Sequence, residues 1–207
     1  MRPKHSASGV LLFRAARRMH VVVTFRDQML SRYAARLEAL GGGNGRTVLA
    51  QALNEGGQAV RSATVAAETA QTGLPGSTLE RAQQTIEANA GSLSYTIWSE
   101  GGNVRLKYFG AKEGGGGVTA HPWNRSTYYD RAFITSGPRG RRAPSPKLGG
   151  QVYRGASRRW GGPISLVRSG LFIPTEMTKG QTAAAFDKGA ASVLATTVVS
   201  RLGAMLP

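Results

Sequence analysis

Leu93-Ser94-Tyr95-Thr96-Ile97-Trp98-Ser99-Glu100-Gly101-Gly102-Asn103-Val104-Arg105-Leu106-Lys107-Tyr108 decides the fold class, because within it the apolar spacing changes from helical to two. Leu93, Tyr95 and Ile97 alternate with Ser94, Thr96 and Trp98, and Val104, Leu106 and Tyr108 alternate with Arg105 and Lys107. Alternation sends successive side chains to opposite faces of a strand. With Glu100-Gly101-Gly102-Asn103 between them, the two runs predict a β-hairpin with one half-buried face. Its outer face carries Arg105 and Lys107.

Downstream, Arg131–Thr135, Gln151–Arg154 and Ile164–Val167 read as further strands that complete an antiparallel sheet. Two stretches between them, Glu113–Gly117 and Ser136–Gly149, are rich in Gly or Pro and read as long flexible loops, so loops are expected over 110–130 and 136–149. Within the first, Gly114–Gly117 lacks the Lys and helix start of a phosphate loop and reads as a hairpin tip. The chain ends in a helix from about Thr182, whose apolar side is Phe186, Ala190, Val193, Leu194, Thr197, Val198, Leu202 and Met205.

Upstream the period is helical. Asp27 can cap a helix with Leu30, Tyr33, Leu37 and Leu40 on one face, ended by Gly41–Gly43. A longer helix is predicted from about Thr47, with Leu49, Leu53, Gly56, Val60, Ala63, Ala67 and Ala70 stepping by four and three. Its small residues permit close approach of another backbone, with ordinary intrachain packing the expected use; Gly56-Gly57 is a possible kink. Leu74-Pro75-Gly76 ends it. A third helix is predicted from Ser77 or Thr78 to Asn89 and Gly91, with Leu79, Ala82 and Ile86 inward. His20–Phe25, centred on Val21-Val22-Val23-Thr24, reads as a strand. Residues 1–18, with five basic and no acidic side chains, read as a basic N-terminal extension to a single domain over 19–207. Helices bracketing a sheet make the class α+β: an antiparallel sheet with a hairpin, packed against N-terminal and C-terminal helices, with long Gly-rich loops.

The 207 residues carry a net charge of +16, which attracts polyanions and acidic partners. From Gly137 to Gly170 there are eight Arg or Lys residues and no Asp or Glu. Candidate contacts with a partner or with DNA are therefore Arg105, Lys107, Arg139, Arg141, Arg142, Lys147, Arg158, Arg159 and Trp160. Trp160, beside Arg158-Arg159, suits either stacking on a base or anchoring an interface. His121-Pro122-Trp123 is a candidate interface loop; the alternative is a turn anchored by a buried Trp and stiffened by Pro, which the area of an indole favours.

Catalytic parts are missing from the sequence. There is no cysteine, no phosphate loop, no Gly-x-Ser-x-Gly elbow and no pair of His at metal-ligand spacing. The acidic residues are few and scattered, unlike the clustered carboxylates of metal-dependent nucleases. The expectation is a non-enzyme without cofactor or metal. No apolar run is long enough to span a membrane, so no membrane partner is expected.

Several phrases, in order, resemble the minor tail protein Z family of long-tailed bacteriophages and its tail-completion relatives. The first is Val48-Leu49-Ala50-Gln51-Ala52-Leu53-Asn54 with its alanine-rich continuation. The second is Leu106–Glu113 followed by Gly117-Val118-Thr119-Ala120 and Pro122-Trp123, similar to the family's Gly-Val-x-Ala-x-Pro-Trp. Arg131-Ala132-Phe133-Ile134 is similar to Gly-Ala-Phe-Ile, and Gly150–Arg154 to Gly-x-Val-Phe-x-Arg. Pro163-Ile164 with Gly170–Pro174 is similar to Leu-Pro-Ile and Gly-Pro-Ser-Ile-Pro, except that Gly162 replaces Leu and Leu171-Phe172 replace Pro-Ser. The resemblance spans roughly Met19 to Pro207.

That resemblance implies a virion protein of the tail or neck, related in fold to tail terminators and assembled in the host cytoplasm. It implies a homo-oligomeric ring, a hexamer, around the DNA channel at the head–tail junction. Implied partners are the tail tube protein, a head-closure or connector protein and, transiently, phage DNA. The alternatives are a minor component at the tail tip or a basic nucleic-acid-binding protein.

Overall fold

A computed structural model describes residues 19–24, 45–136, 143–156 and 162–203. The expected extension over 1–18 and the expected helix following Asp27 lie outside them. The class is α+β, with helices and several antiparallel sheets.

The spine is helix α1, Gly45–Thr72. It runs through Gly56 and Gly57 as one helix; both glycines are buried, and Gly57 lies against the Tyr95 ring of the same chain. Leu49, Leu53 and Val60 of the expected stripe are fully buried. Beyond Val60 the expectation fails: Ala63 and Ala70 are exposed, and the inward positions are Thr64, Val65, Glu68 and Thr72. The hydroxyls make this tolerable. Thr64 Oγ1 donates to Val60 O at 2.8 Å and Thr72 Oγ1 to Glu68 O at 2.6 Å, so both enter the core already hydrogen-bonded.

Helix α2, Gly76–Ala82, is shorter than predicted. At Gln83 the backbone turns extended, and Gln83–Ile86 form strand β2 in place of the last two helical turns. Arg61 on α1 ties off that end, its Nη2 donating to Glu80 O at 2.8 Å and Gln83 O at 3.0 Å. Ile86, expected inside, is 60% exposed on an edge strand.

Strand β1, Met19–Thr24, and strand β3, Thr96–Gly101, pair along six residues, and β2 takes the other side of β3, giving the order β1-β3-β2. This overturns the hairpin expected between 93–97 and 104–108. With both edges of β3 occupied, Val104 turns to a different partner. Its amide donates to Leu171 O at 2.8 Å, and Arg105 bridges Arg168 antiparallel. Leu106–Phe109 is a short 3-10 turn. The burial alternation survives nonetheless: Val104 and Leu106 are buried, while Arg105 and Lys107 are exposed.

Residues 110–130, expected as loop, contain an antiparallel sheet of β4 Lys112–Gly114, β5 Gly117–Ala120 and β6 Thr127–Asp130. The expected hairpin tip is there: Gly115 and Gly116 join β4 to β5 with φ of +60° and +84°, a region glycine enters without strain. Strands β7 Ala132–Phe133, β8 Thr135–Ser136 and β9 Ala143–Pro144 follow, β8 pairing with β9. Strands β10 Tyr153–Gly155 and β11 Ile164–Leu166 join β7 in the order β11-β10-β7, so the three expected strands share one antiparallel sheet, separate from the one holding β3.

After α3, Ile173–Met177, the C-terminal helical run comprises α4 Gly180–Gly189, a π-helical turn Ala190–Leu194 and α5 Ala195–Gly203. Ser192, Thr196 and Thr197 around the π turn each donate their hydroxyl to the carbonyl four residues back. The run lies along α1, and Gly189 permits a close approach: a β-carbon there would stand 3.1 Å from Val60 Cγ2. Val198 is buried on this face, whereas Val193, expected inward, is 37% exposed because the π turn rotates the helix face. Buried hydrophobic residues of α1, α2, α3, α5, β3, β5, β7 and the turns between them form one core cluster, in which each buried Leu contributes about 2 kcal/mol relative to exposure.

Candidate functional site

Arg105 and Lys107 are the two expected candidates that the tertiary structure brings together. They flank Leu106, whose side chain is wholly buried, so the local backbone sends both cations outward on the same side. Beneath them is Gln151, itself buried. Its carboxamide, oriented by its hydrogen bonds, accepts from Arg105 Nη1 at 3.0 Å and from Lys107 Nζ at 3.1 Å. Arg168 faces Arg105 across the antiparallel bridge. Lys107 also stands 5.2 Å from the ring centre of Tyr108, a cation–π contact. Among the described residues no carboxylate forms an ion pair with Arg105, Lys107 or Arg168.

Lys147 is exposed on the 3-10 turn Pro146–Leu148, and Leu148 O accepts the Gln151 amide at 2.9 Å. Arg154, on β10, instead donates Nε to Asp130 O at 3.1 Å. Arg139, Arg141, Arg142, Arg158, Arg159 and Trp160 lie outside the described residues. Sequence reading did not select Arg168 or Gln151. The signal for Arg168 was present, since it lies in the acid-free segment; Gln151 is neutral, and only the fold shows its role.

His121-Pro122-Trp123 forms a tight turn. Trp123 and Asn124 both adopt left-handed backbone, with φ of +51° and +58°. Pro122 is buried, Trp123 is half-buried against the core, and His121 is exposed. Asn124 Nδ2 donates to Ala70 O at 2.8 Å and the His121 amide to Phe109 O at 3.0 Å. The turn therefore fastens the β4-β5-β6 sheet to the end of α1, as an anchor does.

Chemistry beyond charge is sparse. Among the described residues no group of three or more His, Cys, Asp or Glu is placed to hold a metal ion. No described helix is long and apolar enough to cross a membrane. Burial raises Glu68 from 4.5 to about 7; the Gln83 hydrogen bond opposes the shift and the nearby Glu176 adds to it. Burial likewise raises the phenols of Tyr95 and Tyr129. Glu68 faces the protein interior, where it meets Gln83.

No protein-family model matches this chain, and searches of curated proteins and of solved structures find no match either.

Proposed function

We propose that this chain is a non-enzymatic structural protein of a phage virion, completing the tail at the head–tail junction as a homo-oligomeric ring around the DNA channel. The observation that carries the reading is the order of the tail-completion phrases along the chain. Their positions are also those a conserved scaffold would use: Leu49 and Leu53 on α1, Val118 and Ala120 on β5, and Ala132 on β7 are all buried. An α+β core with hairpins projecting from it suits a ring subunit, because cyclic assembly needs two different complementary patches on each copy. The tube protein and a head-closure or connector protein are the neighbours in this reading, with phage DNA passing through.

Net charge favours one competing reading, a basic nucleic-acid-binding protein that acts outside the virion. The two are separated by the mass of the purified chain in light scattering, with and without isolated tail tubes. A monomer that becomes a ring only on tubes supports tail completion. A persistent monomer that ignores tubes but shifts on DNA overturns it. Neutralising Arg139, Arg141 and Arg142 is expected to impair assembly on tubes more than DNA binding; particles that form normally with DNA affinity lost would reverse the ranking.

A further inference from the structure

The geometry points to a phosphate-backbone contact site built on Gln151, with Arg105, Lys107 and Arg168 as its cations and double-stranded nucleic acid as its partner. It deepens the DNA contact of the reading above, but it rests on the surface of this chain and not on a place in a virion.

The first argument is electrostatic. Arg105 Nη1 and Lys107 Nζ share one acceptor oxygen, so two like charges are held close together, and Arg168 stands across the backbone bridge from Arg105. Such crowding is unfavourable unless an anion answers it. No described carboxylate pairs with any of the three. The arrangement is also prepared in advance. Leu106 is fully buried, Gln151 is 7% exposed, and Val104 and Ser169 are joined by backbone and side-chain hydrogen bonds, including Ser169 Oγ to Val104 O at 2.7 Å. The stems of the cations therefore leave a rigid base, which lowers the cost of ordering them on a ligand.

The second argument is the company these cations keep. A protein interface has an apolar centre depleted in charge. Among the described residues, the exposed large hydrophobic side chains Ile86, Tyr128, Ile164, Val193 and Val199 are on other elements, and Tyr108, 38% exposed, is the one next to Arg105 and Lys107 in sequence. A patch of fixed cations without an apolar centre matches a regularly charged polyanion. Among the described residues the cations stand on a 3-10 turn and an isolated bridge and not on an α-helix that could enter a groove, so the contact is to phosphates and independent of sequence.

The test uses the full chain and a fluorescently labelled duplex of arbitrary sequence, with binding followed by anisotropy over a salt series. R105A/K107A/R168A is expected to weaken binding at least tenfold at moderate salt and to flatten the salt dependence by about 0.9 in log–log slope per contact removed. K112A/R125A/K188A, which removes the same charge from exposed positions elsewhere, is expected to change both far less. Equal losses in the two variants would mean that net charge alone attracts DNA, and would overturn the site. So would poly-glutamate binding that depends on the three cations while duplex binding does not, since the patch would then serve an acidic protein. Light scattering on tail tubes runs in parallel. Duplex binding that needs the three cations in a chain that forms no ring upholds the site and defeats the tail reading; a ring whose duplex affinity ignores them does the reverse.

Discussion

Gln83 on β2 donates Nε2 to Glu68 Oε2 on α1 at 2.7 Å, and the second carboxylate oxygen, Oε1, has no hydrogen-bond partner although it is buried. A carboxylate is half-satisfied there, but a carboxylic acid is less costly, because burial penalises the charged form far more than the neutral one.

Stability should therefore depend on pH in the direction opposite to that of a salt-bridged acid. The folded state holds the Glu68 proton up to about pH 7, while the unfolded state releases it near 4.5. Between those values the native state binds more protons, so stability falls as pH rises, then levels off above the folded value. Neighbouring Glu176, itself paired with Lys179 Nζ at 2.9 Å, adds to the penalty. The loss amounts to roughly 3 kcal/mol. Urea unfolding between pH 4.5 and 8 measures it, and Glu68→Gln should flatten the profile and raise stability at pH 8. An unchanged profile in that variant would assign the pH dependence to other groups.

The Tyr95 ring lies directly over Gly57, and a β-carbon at position 57 would collide with its Cγ and Cδ1. Gly57→Ala should destabilise the fold by about 2 kcal/mol despite the better helix propensity of Ala. Combined with Tyr95→Leu, the loss should be smaller than the sum of the two single losses, because they share one contact. Denaturation midpoints of the three variants read this directly; strict additivity would show that the ring is not what excludes the methyl group.

Glu113 Oε2 accepts from the Ile134 amide at 2.7 Å and from the Thr135 amide and hydroxyl, both at 2.8 Å, joining β4 to the start of β8. Glu113→Ala leaves those donors without it and should cost about 3 kcal/mol. Hydrogen exchange localises the effect, with the amides of residues 134 and 135 losing protection before those of α1. Uniform loss across the chain would instead mean that the link belongs to the global core.

Arg201 forms an exposed ion pair with Glu55, with Nη2 to Oε2 at 2.8 Å. The pair ties the last turns of α5 to α1 but stands in water. Arg201→Ala should lower stability by at most about 1 kcal/mol, and 1 M salt should erase the difference. A larger, salt-resistant loss in thermal melts would show that the arginine stem packs against α1.

Composition and periodicity alone determined the α+β class, the α1 spine, the Gly115-Gly116 hairpin tip and the inward–outward alternation of Val104–Lys107, because each depends on a short run of neighbouring residues. Pairing was another matter. The alternation at 93–108 predicts two strands but not their partners, and β1 and β2 claimed both edges of β3, sending Val104 to Leu171. Ile86 went from helix to exposed edge strand for the same reason: β3 had a vacant edge, and a backbone that completes its hydrogen bonds there outweighs a weak helical preference. Glu68, Thr64 and Thr72 broke the apolar pattern of α1 because polar side chains can be buried once they carry their own hydrogen bonds. Charge showed the same division. The acid-free stretch was plain in the chain, but the meeting of Arg105, Lys107 and Arg168 over Gln151 joins residues over 40 positions apart, and only the folded backbone sets that distance.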